Sequence, residues 1–147
     1  MISISVADGA GLQNYDAVLE HIFNTHRTTN TVKESWLSAM REREAEYPTG
    51  IELEGYSIAI PHCDSEHANQ PAIYIIRLPD AIPVNRADED GTLWVRLVVN
   101  LIVTDPADQL RLLKSLFNHL QNEEFYQNLL TLPVEDAKAL FVSTIIQ

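Results

Sequence analysis

Gly50-Ile51-Glu52-Leu53-Glu54-Gly55-Tyr56-Ser57-Ile58-Ala59-Ile60-Pro61-His62 is the stretch on which the fold turns. Ile51–Leu53 and Ser57–Ile60 read as two short strands, with Gly55 in the turn between them. So short a connection makes the pair antiparallel. Pro61 has no N–H to continue a ladder, so the second strand stops there and hands over to His62. A side chain at that point is held by a sheet at one end and open at the other. This suits a histidine that must react with something large. Seven residues before Gly50, Arg43 offers an always-charged fork that can hold a dianion. A neutral imidazole nucleophile and a guanidinium are a minimal set for passing on a phosphoryl group.

Upstream, Ile2, Ile4 and Val6 alternate with Ser3 and Ser5, which predicts a short strand closed by a turn at Asp8–Gly11. Asn14 is the expected N-cap of a helix running to about Arg27, with Tyr15, Val18, Leu19, Ile22 and Phe23 on its buried face. Thr31-Val32-Lys33-Glu34 has the form of a capping box. The helix it would open buries Val32, Trp36 and Met40 and ends near Glu46, with Arg43 in its last turn beside Pro48-Thr49-Gly50. Downstream, Ala72–Leu78 predicts a third strand. Pro79–Gly91, polar and interrupted by two prolines, predicts a loop. Leu93–Val103 is nearly continuous aliphatic sequence and predicts a central strand buried on both faces. Asp105 then caps a helix with Pro106 at its first position and Leu110, Leu113, Phe117 and Leu120 as its core face. Asn122 and Pro133 open two shorter helices. The expectation is an α/β protein: a mixed sheet with helices on both faces.

The 147 residues are 46% hydrophobic, the size and composition of a single globular domain spanning 1–147. No run of 18 apolar residues suggests membrane insertion, and no basic-then-apolar start suggests secretion. One cysteine excludes an internal disulfide and fits a reducing, cytoplasmic setting. A net charge of -11 argues against nucleic acid or anionic lipid as partners and favours steering toward a basic patch on another protein.

Arg43-Glu44, then Thr49-Gly50-Ile51, then Ile58-Ala59-Ile60-Pro61-His62 resembles the IIA domain of the bacterial sugar phosphotransferase system, fructose–mannitol class. Pro61-His62-Cys63 followed by His67-Ala68 is most similar to the galactitol-specific members, and the resemblance spans nearly the whole chain. It implies a sheet of about five strands flanked by helices. It implies a phosphocarrier in which His62 is phosphorylated by HPr and passes the group to a IIB component, and so to the sugar carried by a membrane IIC component. It implies that Arg43 holds the phosphohistidine. Mannitol-type relatives carry a second histidine in the first turn of the helix after the long strand. Gln109 stands there in this chain, able to donate an N–H to a phosphoryl oxygen but not to carry a proton.

Other chemistries are weaker. Cys63 beside His62 invites a thiol nucleophile, but neighbours on an extended chain point to opposite sides. His62, Cys63 and His67 lack a second ligand cluster and the spacing of a zinc site, so no metal is expected. His67 reads as a support for His62 or a plain loop residue. His21, His26 and His119 read as surface or boundary residues on helices. Glu44, Glu46, Asp64 and Glu66 read as a solvated rim and not as paired catalytic carboxylates. No glycine-rich loop of nucleotide type appears, and no cofactor is expected. The rival function is a regulatory module of the same fold, whose phosphorylation state would switch a partner protein.

Overall fold

The computed structural model describes residues 2–146. Its centre is strand β5 (Thr92–Ile102), the long aliphatic run. From Leu97 to Ile102 every residue of it is buried. Leu97, Val99 and Leu101 pack into one hydrophobic cluster, while Val98 and Ile102 pack into another. That division is what period-2 geometry imposes on a strand covered on both faces.

The sheet has five strands in the order β1-β4-β5-β3-β2. β1 (Ser3–Asp8) runs parallel to β4 (Ala72–Asn85), which pairs antiparallel with β5. β3 (Tyr56–Ala59) runs parallel to β5 and antiparallel to β2 (Gly50–Leu53). Helices α1 (Tyr15–Thr28) and α2 (Trp36–Glu46) cover one face through Val18, Leu19, Ile22, Trp36 and Met40. Helices α3 (Pro106–Leu120), α4 (Glu123–Thr131) and α5 (Val134–Ile145) cover the other through Leu112, Leu116, Phe125, Leu129 and Phe141. The caps expected at Asn14, Asp105 and Asn122 form, each side chain accepting from a first-turn N–H.

Three local expectations fail. Thr31–Glu34 is not a capping box, because α2 starts at Trp36. Tertiary pairing takes the segment instead: Val32 bridges Ala68, and the Thr31 carbonyl accepts from Asn69 and Gln70. Pro79–Gly91 is mostly strand. β4 crosses an irregularity between Arg77 and Ile82 and re-pairs as Ile82↔Val95 and Val84↔Leu93, with Ile82 and Val84 buried. Pro83 is tolerated because its side of the ladder is the open edge, where no N–H is demanded. Finally, α3 is rotated from its expected face. Leu112, Leu116 and Leu120 are fully buried, Leu113 and Phe117 are half-buried, and Leu110 is 56% exposed.

Candidate active site

His62 lies just past the end of β3, where the chain is tied on both sides although Pro61 donates nothing. The Ile60 N–H donates to the Thr49 carbonyl on the β2 side (3.2 Å). On the β5 side the Pro61 carbonyl accepts from the Leu101 N–H (3.2 Å). β3 and β5 are parallel, so their carboxyl ends point the same way. The N-terminus of α3, which follows β5, therefore opens beside His62, the common location of sites in α/β sheets.

The His62 ring is half-buried. Its Nδ1 lies 2.6 Å from the Ile60 carbonyl oxygen. A carbonyl only accepts, so Nδ1 carries the proton and Nε2 keeps its lone pair. Arg43 Nη2 stands 3.4 Å from that Nε2. The Arg43 Nε donates to the Tyr47 carbonyl (3.0 Å), which anchors the guanidinium at the end of α2. Burial lowers the His62 pKa first, and the Arg43 charge lowers it further, against the opposing pull of the Ile60 carbonyl. The result is a histidine that stays neutral at physiological pH.

Gln109 is placed in the first turn of α3, its Nε2 3.4 Å from the Cys63 carbonyl. Arg43, His62 and Gln109 thus converge on one end of the sheet. Cys63 faces away into the α1–α2 side, and burial pushes its thiol up to about 12, so it is no nucleophile at neutral pH. His67 shares a hydrogen bond with the Ser35 hydroxyl through Nδ1 (2.7 Å), and its Nε2 lies 3.8 Å from a Glu66 carboxylate oxygen. It does not support His62.

Glu44 overturns the reading of a solvated rim. It is buried, and it accepts from the Thr49 N–H (3.0 Å), the Tyr15 hydroxyl (2.8 Å) and the Thr49 hydroxyl. It thereby fixes the turn whose Thr49 carbonyl holds Ile60. Burial pushes its carboxyl pKa up, against these donors. Gly50 follows because a Cβ there would collide with the Asn85 carbonyl. The Arg-Glu and Thr-Gly pairs are thus one device: arginine reaches the histidine, and glutamate locks the turn beside it. His26 is also misread by sequence. It is buried and bonded to Asn100, and the helical pattern around it carries no sign of that partner 74 residues away.

Beside His62 lies a recess of about 210 Å³ walled by Ile51, Ile60, Leu113 and Phe117, with Arg43 and Thr49 at its margin. The half-turned α3 face that sequence assigned to the core provides two of those walls. Tyr47, whose carbonyl anchors Arg43, and Leu110, which follows Gln109, are 68% and 56% exposed. The site is thus open and partly apolar, suited to a protein surface more than to an enclosed small molecule.

A five-stranded mixed sheet with two helices on one face and three on the other is the fold of phosphotransferase IIA domains. The chain belongs to the family described as "Phosphoenolpyruvate-dependent sugar phosphotransferase system, EIIA 2", whose model matches residues 5–141. It is 39% identical over 146 residues to the PTS system galactitol-specific EIIA component of Escherichia coli strain K12, covering 99% of this chain and 97% of that protein. The solved complex of enzyme IIAMTL and phosphorylated enzyme IIBMTL from Escherichia coli matches with a TM-score of 0.75 at 20% identity, over 95% of this chain and 94% of that one. Nitrogen regulatory protein IIA-Ntr from Neisseria meningitidis matches with a TM-score of 0.71 at 18% identity, over 93% and 91%. These two structural likenesses concern the fold. The chain is a phosphotransferase component, and among the described residues no helix is long and apolar enough to cross a membrane.

Proposed function

We propose that this chain is a single-domain cytoplasmic phosphocarrier, residues 1–147, that takes a phosphoryl group from phospho-HPr onto His62 and passes it to the IIB component of a galactitol system. The observation that carries this reading is the pairing of a pinned Nδ1–H with a bare Nε2 that faces the Arg43 guanidinium.

In the step, the Nε2 lone pair of His62 attacks phosphorus. The new N–P bond forms as the donor's P–N bond breaks, and that bonding pair returns to the donor imidazole. Positive charge grows on the His62 ring, and the Ile60 carbonyl stabilises it through Nδ1–H. Negative charge on the transferring group meets Arg43, with Gln109 supplying a neutral donor. Alignment and charge stabilisation are what phosphoryl transfer asks of a protein. The same geometry serves the return step to IIB, because the reaction is a near-symmetric exchange between imidazoles or with another protein nucleophile.

Galactitol as the substrate of the system rests on the 39% identity across nearly the full length. The same likeness favours transport over a purely regulatory role, for which only the shared fold speaks. The test is incubation with phosphoenolpyruvate, enzyme I and HPr, with mapping of acid-labile phosphate. The expected result is one phosphate on His62, absent from a folded His62→Ala variant. A single phosphate retained by that variant would refute the reading.

A further inference from the structure

β5 carries one amide in its buried centre. Asn100 is 0% exposed and is flanked by Val98, Val99, Leu101 and Ile102. Burying an amide there is unfavourable unless both of its ends are bonded. Here they are. Asn100 Nδ2 donates to the Pro61 carbonyl (3.1 Å), so its Oδ1 is the acceptor, and it takes a hydrogen bond from His26 Nε2 (2.7 Å). That assignment makes His26 the Nε2–H tautomer. Burial lowers the His26 pKa and keeps the ring neutral. Tyr74, opposite Asn100 on β4, walls the ring edge-on at 5.9 Å.

Such a chain is costly as a stabilising device, since apolar residues of similar shape would fill the same space with no polar group to satisfy. What distinguishes it is where it ends. Pro61 has no N–H, so the Ile60–Pro61 peptide can be held only through its carbonyl, and the next peptide, Pro61–His62, is tied through the Pro61 carbonyl. The Ile60 carbonyl is taken by the His62 ring and the Pro61 carbonyl by Asn100 and Leu101.

We propose that Asn100 and His26 are positioning residues for His62: the buried relay His26–Asn100–Pro61 sets the plane of the Pro61–His62 peptide and so aims Nε2 at the incoming phosphorus. The relay approaches the peptide from the side opposite the recess that would receive a partner. It therefore acts without touching either partner protein. The proposal rests on the reading of His62 as phosphoryl acceptor.

The experiment uses the full chain and four variants. Asn100→Leu and His26→Phe remove the relay at similar volume. His26→Gln keeps a donor near the position of Nε2. Phe141→Leu loosens the opposite face of the sheet and serves as a matched destabiliser. Two readings are taken below the melting transition of every variant: the tautomer and pKa of the His62 ring by nitrogen-edited NMR, and the rate of phosphorylation by phospho-HPr across HPr concentrations. Asn100→Leu and His26→Phe are expected to lower the maximal rate about tenfold to a hundredfold, the scale of a misaligned reacting group, with apparent affinity for HPr kept. In both, His62 should lose its single Nδ1–H tautomer, while His26→Gln stays near the parent. The proposal is overturned if both relay variants keep the parental tautomer and rate, or if Phe141→Leu slows transfer as much as they do. Phosphate mapping to another residue of the parent would refute the acceptor reading instead, and the NMR arm would still decide the relay.

Discussion

Arg43→Lys tests the site most directly, because it keeps the charge and changes the shape. The Arg43 guanidinium does two things at once: Nε binds the Tyr47 carbonyl at 3.0 Å, and Nη2 stands 3.4 Å from His62 Nε2. A lysine has one nitrogen. It can bind the carbonyl or reach the phosphoryl group, and in either case one charge-assisted hydrogen bond of the transferring state is lost. Such a bond contributes about 1.5–3 kcal/mol, which corresponds to roughly a tenfold to hundredfold slower step. No Arg43 ion pair holds the fold together among the described residues, so the melting temperature should barely move. The assay is rapid-quench transfer of labelled phosphate from phospho-HPr, followed by the return reaction to IIB. Both directions should slow together, since the same phosphoryl group is held in each. A rate within about twofold of the parent, well short of the tenfold loss worked out above, would show Arg43 to be a helix-end charge and no more.

Glu44→Ala should destabilise the protein by about 2–4 kcal/mol, because it strands the Thr49 N–H, 3% exposed at its residue, together with two hydroxyl donors; chemical denaturation measures it, and a loss below about half a kcal/mol, the range of ordinary surface changes, would show the turn to be held by packing alone. For pH, His26 has a folded pKa below its unfolded value near 6.5, so the unfolded chain binds more protons as pH falls through that value, and the stability His26 contributes is lost toward acid. His62 acts in the same direction, whereas the raised carboxyl of Glu44 acts in the opposite one at lower pH. Comparing the parent with His26→Gln isolates the first term: the difference in stability should change between pH 7 and 5, by at most about 1.4 kcal/mol per pH unit, and a constant difference would contradict the buried neutral ring. Phosphoryl transfer from HPr should slow with added salt through its association rate. Asp64 and Glu66 are exposed beside His62, the chain carries -11, and surface steering is screened over about 8 Å at physiological ionic strength; a flat profile would leave the apolar rim as the basis of recognition.

The elements that could be read from sequence are those whose signal is local. β5 announced itself as a strand buried on both faces because one residue in two cannot be spared for solvent, and the structure places it centrally. Asn14, Asp105 and Asn122 were legible as caps because a side chain bonds to a backbone two or three residues away, which needs no other part of the molecule. Pro61 ending a strand before His62 was legible for the same reason. The pairing of Arg43 with His62 is an expectation of family spacing, and the fold sets the two side chains 3.4 Å apart.

What tertiary structure alone decided involves partners distant along the chain. Thr31–Glu34 has the letters of a capping box, but its backbone bonds are claimed by the loop at His67–Gln70, and pairing with this distant part of the same chain outweighs a cap worth about 1 kcal/mol. Two prolines made Pro79–Gly91 look like loop, yet β5 offers a ladder and a buried slot to Ile82 and Val84. Leu110 and Phe117 share an apolar face with Leu120 in sequence, but the sheet takes Leu112, Leu116 and Leu120, leaving Leu113 and Phe117 to wall the recess at His62 and Leu110 in solvent. Glu44 and His26 are polar letters that sequence alone places at the surface or its boundary, and Asn100 interrupts a strand that reads as buried. Only the fold supplies the Thr49, Asn100 and Pro61 groups that let them be buried, and burial of a polar group is decided by its partner and not by its own chemistry.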